Sequence, residues 1–144
     1  FLLTGGHIVG FIDAAVQEGM RLIDVRHEEA AAHAADAYAR LTGKPGVAFV
    51  TAGPGATNAV TGVAAAWHAG SPLVLVVGRH PEFQDQRGAL QEMDHRPIFQ
   101  GISKWTATGR DPERFGELAV TALRHATAGR GGPVVIEVDA LAQL

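Results

Sequence analysis

Two adjacent carboxylates, Glu28 and Glu29, stand in the stretch VRHEEAAA (residues 25–32), where an apolar run ends and an alanine-rich one begins. Acids at that place admit two roles. The unsatisfied N–H groups and macrodipole of a starting helix favour negative charge in its first turn. A carboxyl group set against an alanine-lined helix is also suited to sharing a proton with a ligand nitrogen, because desolvation favours a neutral or hydrogen-bonded acid. Glu28 is the candidate for that second role and Glu29 for the solvated member of the pair. A second stretch, TAGPGATN (residues 51–58), follows an apolar run and opens an alanine-rich one. Its glycines permit close backbone approach, and a helix start offers free N–H donors at the carboxyl end of a strand, where open α/β sheets bind ligands. A tight turn whose glycines serve packing alone fits the same residues. No Lys-Ser/Thr pair follows and the spacing is not that of a dinucleotide fingerprint, so neither phosphate motif applies. His7, behind Gly5 and Gly6, is placed either to hydrogen-bond a substrate oxygen or relay a proton, or simply to cap a turn. Gln91 and Glu92, in RGALQEMD, either face a cleft or belong to a solvated loop. The remaining histidines show no paired ligand spacing, so no metal site is expected within the chain.

These residues need elements to hold them. Apolar, β-branched runs at 1–3, 21–25, 46–51, 72–78, 104–108 and 133–139 read as strands, and their near-continuous hydrophobicity indicates a sheet buried on both faces. Helices are expected over 8–18, 28–41, 56–69 and 112–128, the last starting with Asp111 as N-cap and Pro112 at the first helical position. Gly43, Gly70 and Gly129 suit the left-handed position after a helix. The alternation predicts an open, mainly parallel twisted α/β sheet with helices on both faces. Glu28, His7 and the TAGPGATN turn then share one rim. The alanines of 30–35 and 64–66 suit a tight helix interface, including one between subunits, and plain helix propensity explains them as well. Residues 79–100 form a long polar connector, and connectors of that length in a domain are usually functional or mobile.

Composition sets the outer limits. With 47% apolar and 19% charged residues among 144, the chain is globular and of one-domain size, covering 1–144. A net charge of −3 with no basic run gives no footprint for nucleic acid. No apolar stretch approaches the length of a membrane span, and no signal peptide is visible. The lack of cysteine excludes disulfides and thiolate metal ligation and is compatible with a reducing cytoplasm. The apolar start FLL leads to the expectation that the chain starts inside a longer gene product.

Taken together, residues 26–67, RHEEAAAHAADAYARLTGKPGVAFVTAGPGATNAVTGVAAAW, resemble the pyrimidine-binding domain of thiamine-diphosphate enzymes of the acetolactate synthase type. The resemblance implies the thiamine-diphosphate-binding fold and a role for each matching residue. The acid matching Glu28 hydrogen-bonds N1′ of the aminopyrimidine and promotes the imino tautomer that deprotonates the thiazolium C2. Gly53, Pro54, Gly55 and Asn58 would line the aminopyrimidine side of the pocket, and Gln91 matches a glutamine that faces substrate, with His7 as a further catalytic candidate. FLLTGGHI and Leu90 resemble the benzaldehyde lyase and 2-hydroxyacyl-CoA lyase branch. That implies a carboligase or lyase acting on 2-keto acids, 2-hydroxyacyl compounds or aldehydes, with Mg2+ held outside this chain and FAD left open. The partner implied is the diphosphate-binding domain of another subunit, in a homodimer or homotetramer. A catalytically silent module of the same fold is the alternative. Such a module would be free to lose Glu28 and the GPGATN turn, and both are present.

Overall fold

Six segments of extended chain run side by side, and four of them are strands. In the computed structural model, which describes residues 1–143, β1 (Gly46–Val50), β2 (Leu73–Arg79), β3 (Trp105–Gly109) and β4 (Val134–Asp139) form an all-parallel sheet in the order β1-β2-β4-β3. Leu144, the end of the expected domain, lies outside the described residues. Beyond β1 the sheet continues through single parallel bridges, Leu2 to Phe49 and Leu2 to Asp24. The expected strands at 1–3 and 21–25 are therefore reduced to one bridged residue each. Residues 20–25 are the outermost segment, with a neighbour on one side only and mostly exposed side chains, so little holds a longer ladder there.

The helices are α1 (Val9–Gln17), α2 (Glu28–Thr42), α3 (Pro54–Asn58), α4 (Val60–Ala69), α5 (Arg96–Phe99) and α6 (Phe115–Thr127). Successive side chains of a strand point to opposite faces, and the sequence fills both. Leu73, Leu75 and Val77 of β2 pack under Ala31, Ala32 and Ala35 of α2 and Val63 and Ala66 of α4. Val74 and Val76 pack on the other face with Ala122 and Ala126 of α6 and Phe11 of α1. Each such aliphatic side chain contributes about 1.5–3 kcal/mol on burial. The alanines find their use inside the chain: a Cβ on Gly62 of α4 would lie 2.5 Å from the Cβ of Ala32 of α2.

Two helix boundaries depart from expectation. The helix expected over 56–69 starts earlier, at Pro54, and is broken at Ala59 into α3 and α4. The helix expected over 112–128 opens with a separate 3-10 turn, Pro112–Arg114, whose first free amide, that of Glu113, donates to Asp111 at 3.0 Å. Gly43 and Gly70 end α2 and α4 in the left-handed conformation, whereas α6 leaves through extended Ala128 before Gly129 takes its positive φ. The connector between β2 and β3 contains a 3-10 turn, Glu82–Gln84, and α5. No helix among the described residues is long and apolar enough to cross a membrane.

Candidate functional site

The carboxyl ends of Leu2, β1 and β2 gather the candidate residues on one rim. Glu28 is the first residue of α2, after His27, whose ring accepts the Glu29 amide at 3.3 Å as the helix N-cap. Its carboxyl is buried, and Asn58 Nδ2 donates to its Oε2 at 2.9 Å. Among the described residues no hydrogen bond engages Oε1. Glu29 points outward and pairs with His33 at 3.5 Å, the ordinary i,i+4 arrangement of a helix surface. The two acids of the stretch thus take the two different environments expected of them.

Asn58 reaches Glu28 because the chain turns sharply after β1. Gly53 adopts φ 57° and ψ −114°, a conformation essentially reserved for glycine. Exposed Pro54 starts α3 at a position where no amide is needed. A Cβ on Gly55 would come 2.7 Å from Thr51 Cγ2 and 3.4 Å from Glu28 Oε1, so only a bare backbone passes between them. One expectation is corrected here: the amides of this turn are not free donors. That of Gly53 donates to His95 Nε2 at 2.8 Å, and that of Gly55 to the Ala52 carbonyl at 3.2 Å.

His7 lies on the other side of Thr51, with Nδ1 3.1 Å from the Thr51 hydroxyl. Gly78 makes room for it, since a Cβ there would meet the His7 carbonyl oxygen at 2.5 Å. Burial holds the His7 pKa below the ordinary 6.5, helped by the nearby His80 and opposed by hydrogen bonds with Gln91 and the Leu90 backbone. Gln91 adopts φ 57°, unusual for a residue with a side chain, and its backbone lies against Gly53. The structure therefore makes one hydrogen-bonded carboxylate pair, Glu28 with Asn58, on one side of the Thr51–Gly55 turn, and sets His7, bonded to Thr51, on the other side. Among the described residues no hydrogen bond joins His7 to Glu28 or Asn58.

Glu92 faces the connector and not the turn. It accepts the amides of Gln86 and Ala89, the latter at 3.0 Å, and those bonds, the Gln86 amide foremost, lower its pKa. His80, Asp85 and Glu92 come close enough together to hold a cation, although their one-dimensional spacing did not suggest it. Asp85 is already engaged there in a two-oxygen bond with Arg79 at 2.6 and 2.7 Å.

Two further residues of the site went unnoticed in the sequence. His95 and Glu137 are buried, with His95 Nδ1 2.7 Å from Glu137 Oε1, and the Thr108 hydroxyl donates to Glu137 Oε2 at 2.8 Å. The signal was Glu137, a carboxylate between Ile136 and Val138 in the apolar run VVIEVD (residues 134–139), since a buried charge requires a partner. The partner lies 42 residues away in an aperiodic connector, where spacing carries no information.

With this geometry in place, comparison with known proteins is informative. The family model described as thiamine pyrophosphate enzyme, N-terminal TPP binding domain, matches residues 1–98. A probable acetolactate synthase of Mycobacterium bovis is 42% identical over 137 residues, covering 95% of this chain and 25% of that protein. A 2-hydroxyacyl-CoA lyase 2 of Danio rerio is 45% identical over 137 residues, 95% of this chain and 22% of its own length. An acetolactate synthase large subunit of Parasynechococcus marenigrum is 46% identical over 142 residues, 96% of this chain and 23% of its own. The chain spans about a quarter of the curated relatives it matches.

Proposed function

The chain belongs to the thiamine pyrophosphate enzyme family as its N-terminal TPP-binding domain, and on that premise we propose that it supplies the aminopyrimidine-binding half of a carboligase or lyase site in a longer enzyme. The observation that carries this is the state of Glu28. One carboxylate oxygen is fixed by Asn58, while the other, beside the bare backbone of Gly55, has no hydrogen-bond partner among the described residues. A dry carboxyl with one free oxygen is the donor and acceptor that a weakly basic ring nitrogen requires, so the residues present fit the cofactor.

Thiamine diphosphate, when bound, supplies the carbanion chemistry that forms or cleaves a C–C bond beside a carbonyl. The protein residues prepare for it. Glu28 would hold or pass a proton at Oε1, with Asn58 fixing its rotamer through Oε2. Gly53, Pro54 and Gly55, poor in side chains, would line the aminopyrimidine side of the site. His7, neutral at physiological pH because burial lowers its pKa, offers a ring nitrogen to a substrate hydroxyl or carbonyl, with Gln91 beside it. The substrate class is 2-keto acids, 2-hydroxyacyl compounds or aldehydes, and relatives of both the synthase and lyase names support that breadth. In line with the resemblance, the Mg2+ ligands and the diphosphate grip are assigned to a separate domain of a partner subunit, in a homodimer or homotetramer.

The test uses the full-length parent enzyme with thiamine diphosphate and Mg2+, screened with pyruvate, aldehydes and 2-hydroxyacyl donors. Glu28→Gln is expected to lower turnover by about 10²-fold or more, the scale of a lost general acid–base group, with cofactor still bound. Unchanged turnover would return Glu28 to the role of a helix-start acid.

A further inference from the structure

Behind the glycine turn lies a buried chain of hydrogen bonds that no part of the proposed chemistry uses. Gly53 N–H donates to His95 Nε2 at 2.8 Å, so that nitrogen must carry a lone pair and the ring proton must sit on Nδ1. Nδ1–H then donates to Glu137 Oε1 at 2.7 Å, and the same oxygen accepts the His95 backbone amide at 3.1 Å. The other oxygen of Glu137 accepts the Thr108 hydroxyl at 2.8 Å and lies 3.7 Å from the Arg96 guanidinium. Side chains of His95 and Glu137 are 0% and 2% exposed. Burial alone would raise the Glu137 pKa, but the bonds from His95 and Thr108 outweigh it and leave the carboxyl below its ordinary value.

We infer that His95, locked into one tautomer by Glu137, is a positioning residue that clamps the Gly53 turn and thereby sets Asn58 against Glu28. The turn needs such a clamp for a geometric reason. Gly53 holds a positive-φ backbone that only glycine adopts readily, and its amide donates to a side chain and not to a backbone acceptor. The helix that starts after it, α3, has five residues, too few to hold its own direction, and Asn58 is the last of them. Four residues before His95, the backbone of Gln91 lies against the same glycine, so the segment 91–95 grips the turn from two sides. One device therefore sets both sides of the site: the Asn58–Glu28 bond through Gly53, and Gln91 through the connector that ends in His95. This role rests on the reading of Glu28 as the activating acid.

The experiment compares two variants of the full-length parent enzyme. Glutamine at 95 can bring its side-chain oxygen to the place of Nε2 and keep the acceptor for Gly53, whereas asparagine reaches only as far as Nδ1 and keeps the donor to Glu137 alone. Hydrogen–deuterium exchange of the peptide containing Gly53, in the cofactor-free enzyme, reads the clamp directly. His95→Asn is expected to speed exchange of that amide about tenfold, as loss of a buried hydrogen bond would, and to lower kcat more than it changes the substrate KM. His95→Gln is expected to restore both. Thr108→Val, which loosens Glu137 without touching the turn, gives a smaller rise in exchange and serves where His95→Asn fails to fold. Equal exchange in the wild type and the folded variants would overturn the clamp, and faster exchange with kcat unchanged, in an enzyme where Glu28→Gln does lower turnover, would overturn its positioning role. Because exchange is read without cofactor, a failure of Glu28→Gln to affect turnover would leave the clamp measurement standing and remove only its catalytic consequence.

Discussion

At Glu28 the difference between a surface acid and a site acid comes down to a single neighbour. Glu29 faces solvent with His33, while Glu28 is turned inward onto Asn58. That contrast was legible from type and place: an acid at the end of a strand, and a glycine turn at the end of the next. The support behind them was not, because His95 and Glu137 meet across 42 residues and neither has a spacing that marks it. Gly53 is the residue where the two levels join. Replacing it with alanine forces a side chain into φ 57° and brings a Cβ to 3.0 Å from Gln91. Gly53→Ala is expected to cost about 1–3 kcal/mol, the range for strained backbone. Denaturant unfolding would measure this, and a variant as stable as the wild type would mean the turn relaxes freely.

Among the elements, α2 and α4 pack closely at Gly62 and Ala32, and this contact holds the helix that begins with Glu28. Gly62→Ala sets two effects against each other. Alanine gains about 1 kcal/mol over glycine in helix propensity. Its Cβ, however, would lie 2.5 Å from that of Ala32 and 3.0 Å from the His33 nitrogen, and overpacking typically costs about 1–3 kcal/mol. The helices must part, so a lower Tm is expected, with Ala32→Gly in the same chain restoring part of it. A higher Tm for Gly62→Ala would show that the helices slide apart without penalty. Strands buried on both faces were readable as apolar runs, as were the helices with glycine stops. The break at Ala59 was not, because residues 56–69 read as one alanine-rich run with no proline or glycine at the joint. The reduction of 1–3 and 21–25 to bridges was hidden too, since what decides it is the number of neighbours in the sheet.

For the molecule as a whole, buried titrating groups tie stability to pH in two separate windows. His7 has a folded pKa below the ordinary 6.5, so the unfolded chain binds the proton more readily, and stability falls as pH drops from about 6.5 through the lower folded value. Glu137 has a folded pKa below the ordinary 4.5; its contribution is present above that value and is lost as pH falls through the folded one. Thermal melts between pH 8 and about 3 are expected to show an upper decline that His7→Gln flattens, and a lower one that it leaves intact. A profile unchanged by His7→Gln would place the upper decline elsewhere. The β2–β3 connector carries a last consequence, for engineering. Its inner end, Gln91 to His95, is locked to the glycine turn, while Phe83 and Leu90 nearby are 62% and 75% exposed. A combinatorial library aimed at new acceptors should therefore randomise the outer positions, 83–90, and leave 91–95 invariant. Diversity in the first set changes what the rim presents, whereas diversity in the second yields mostly inactive clones.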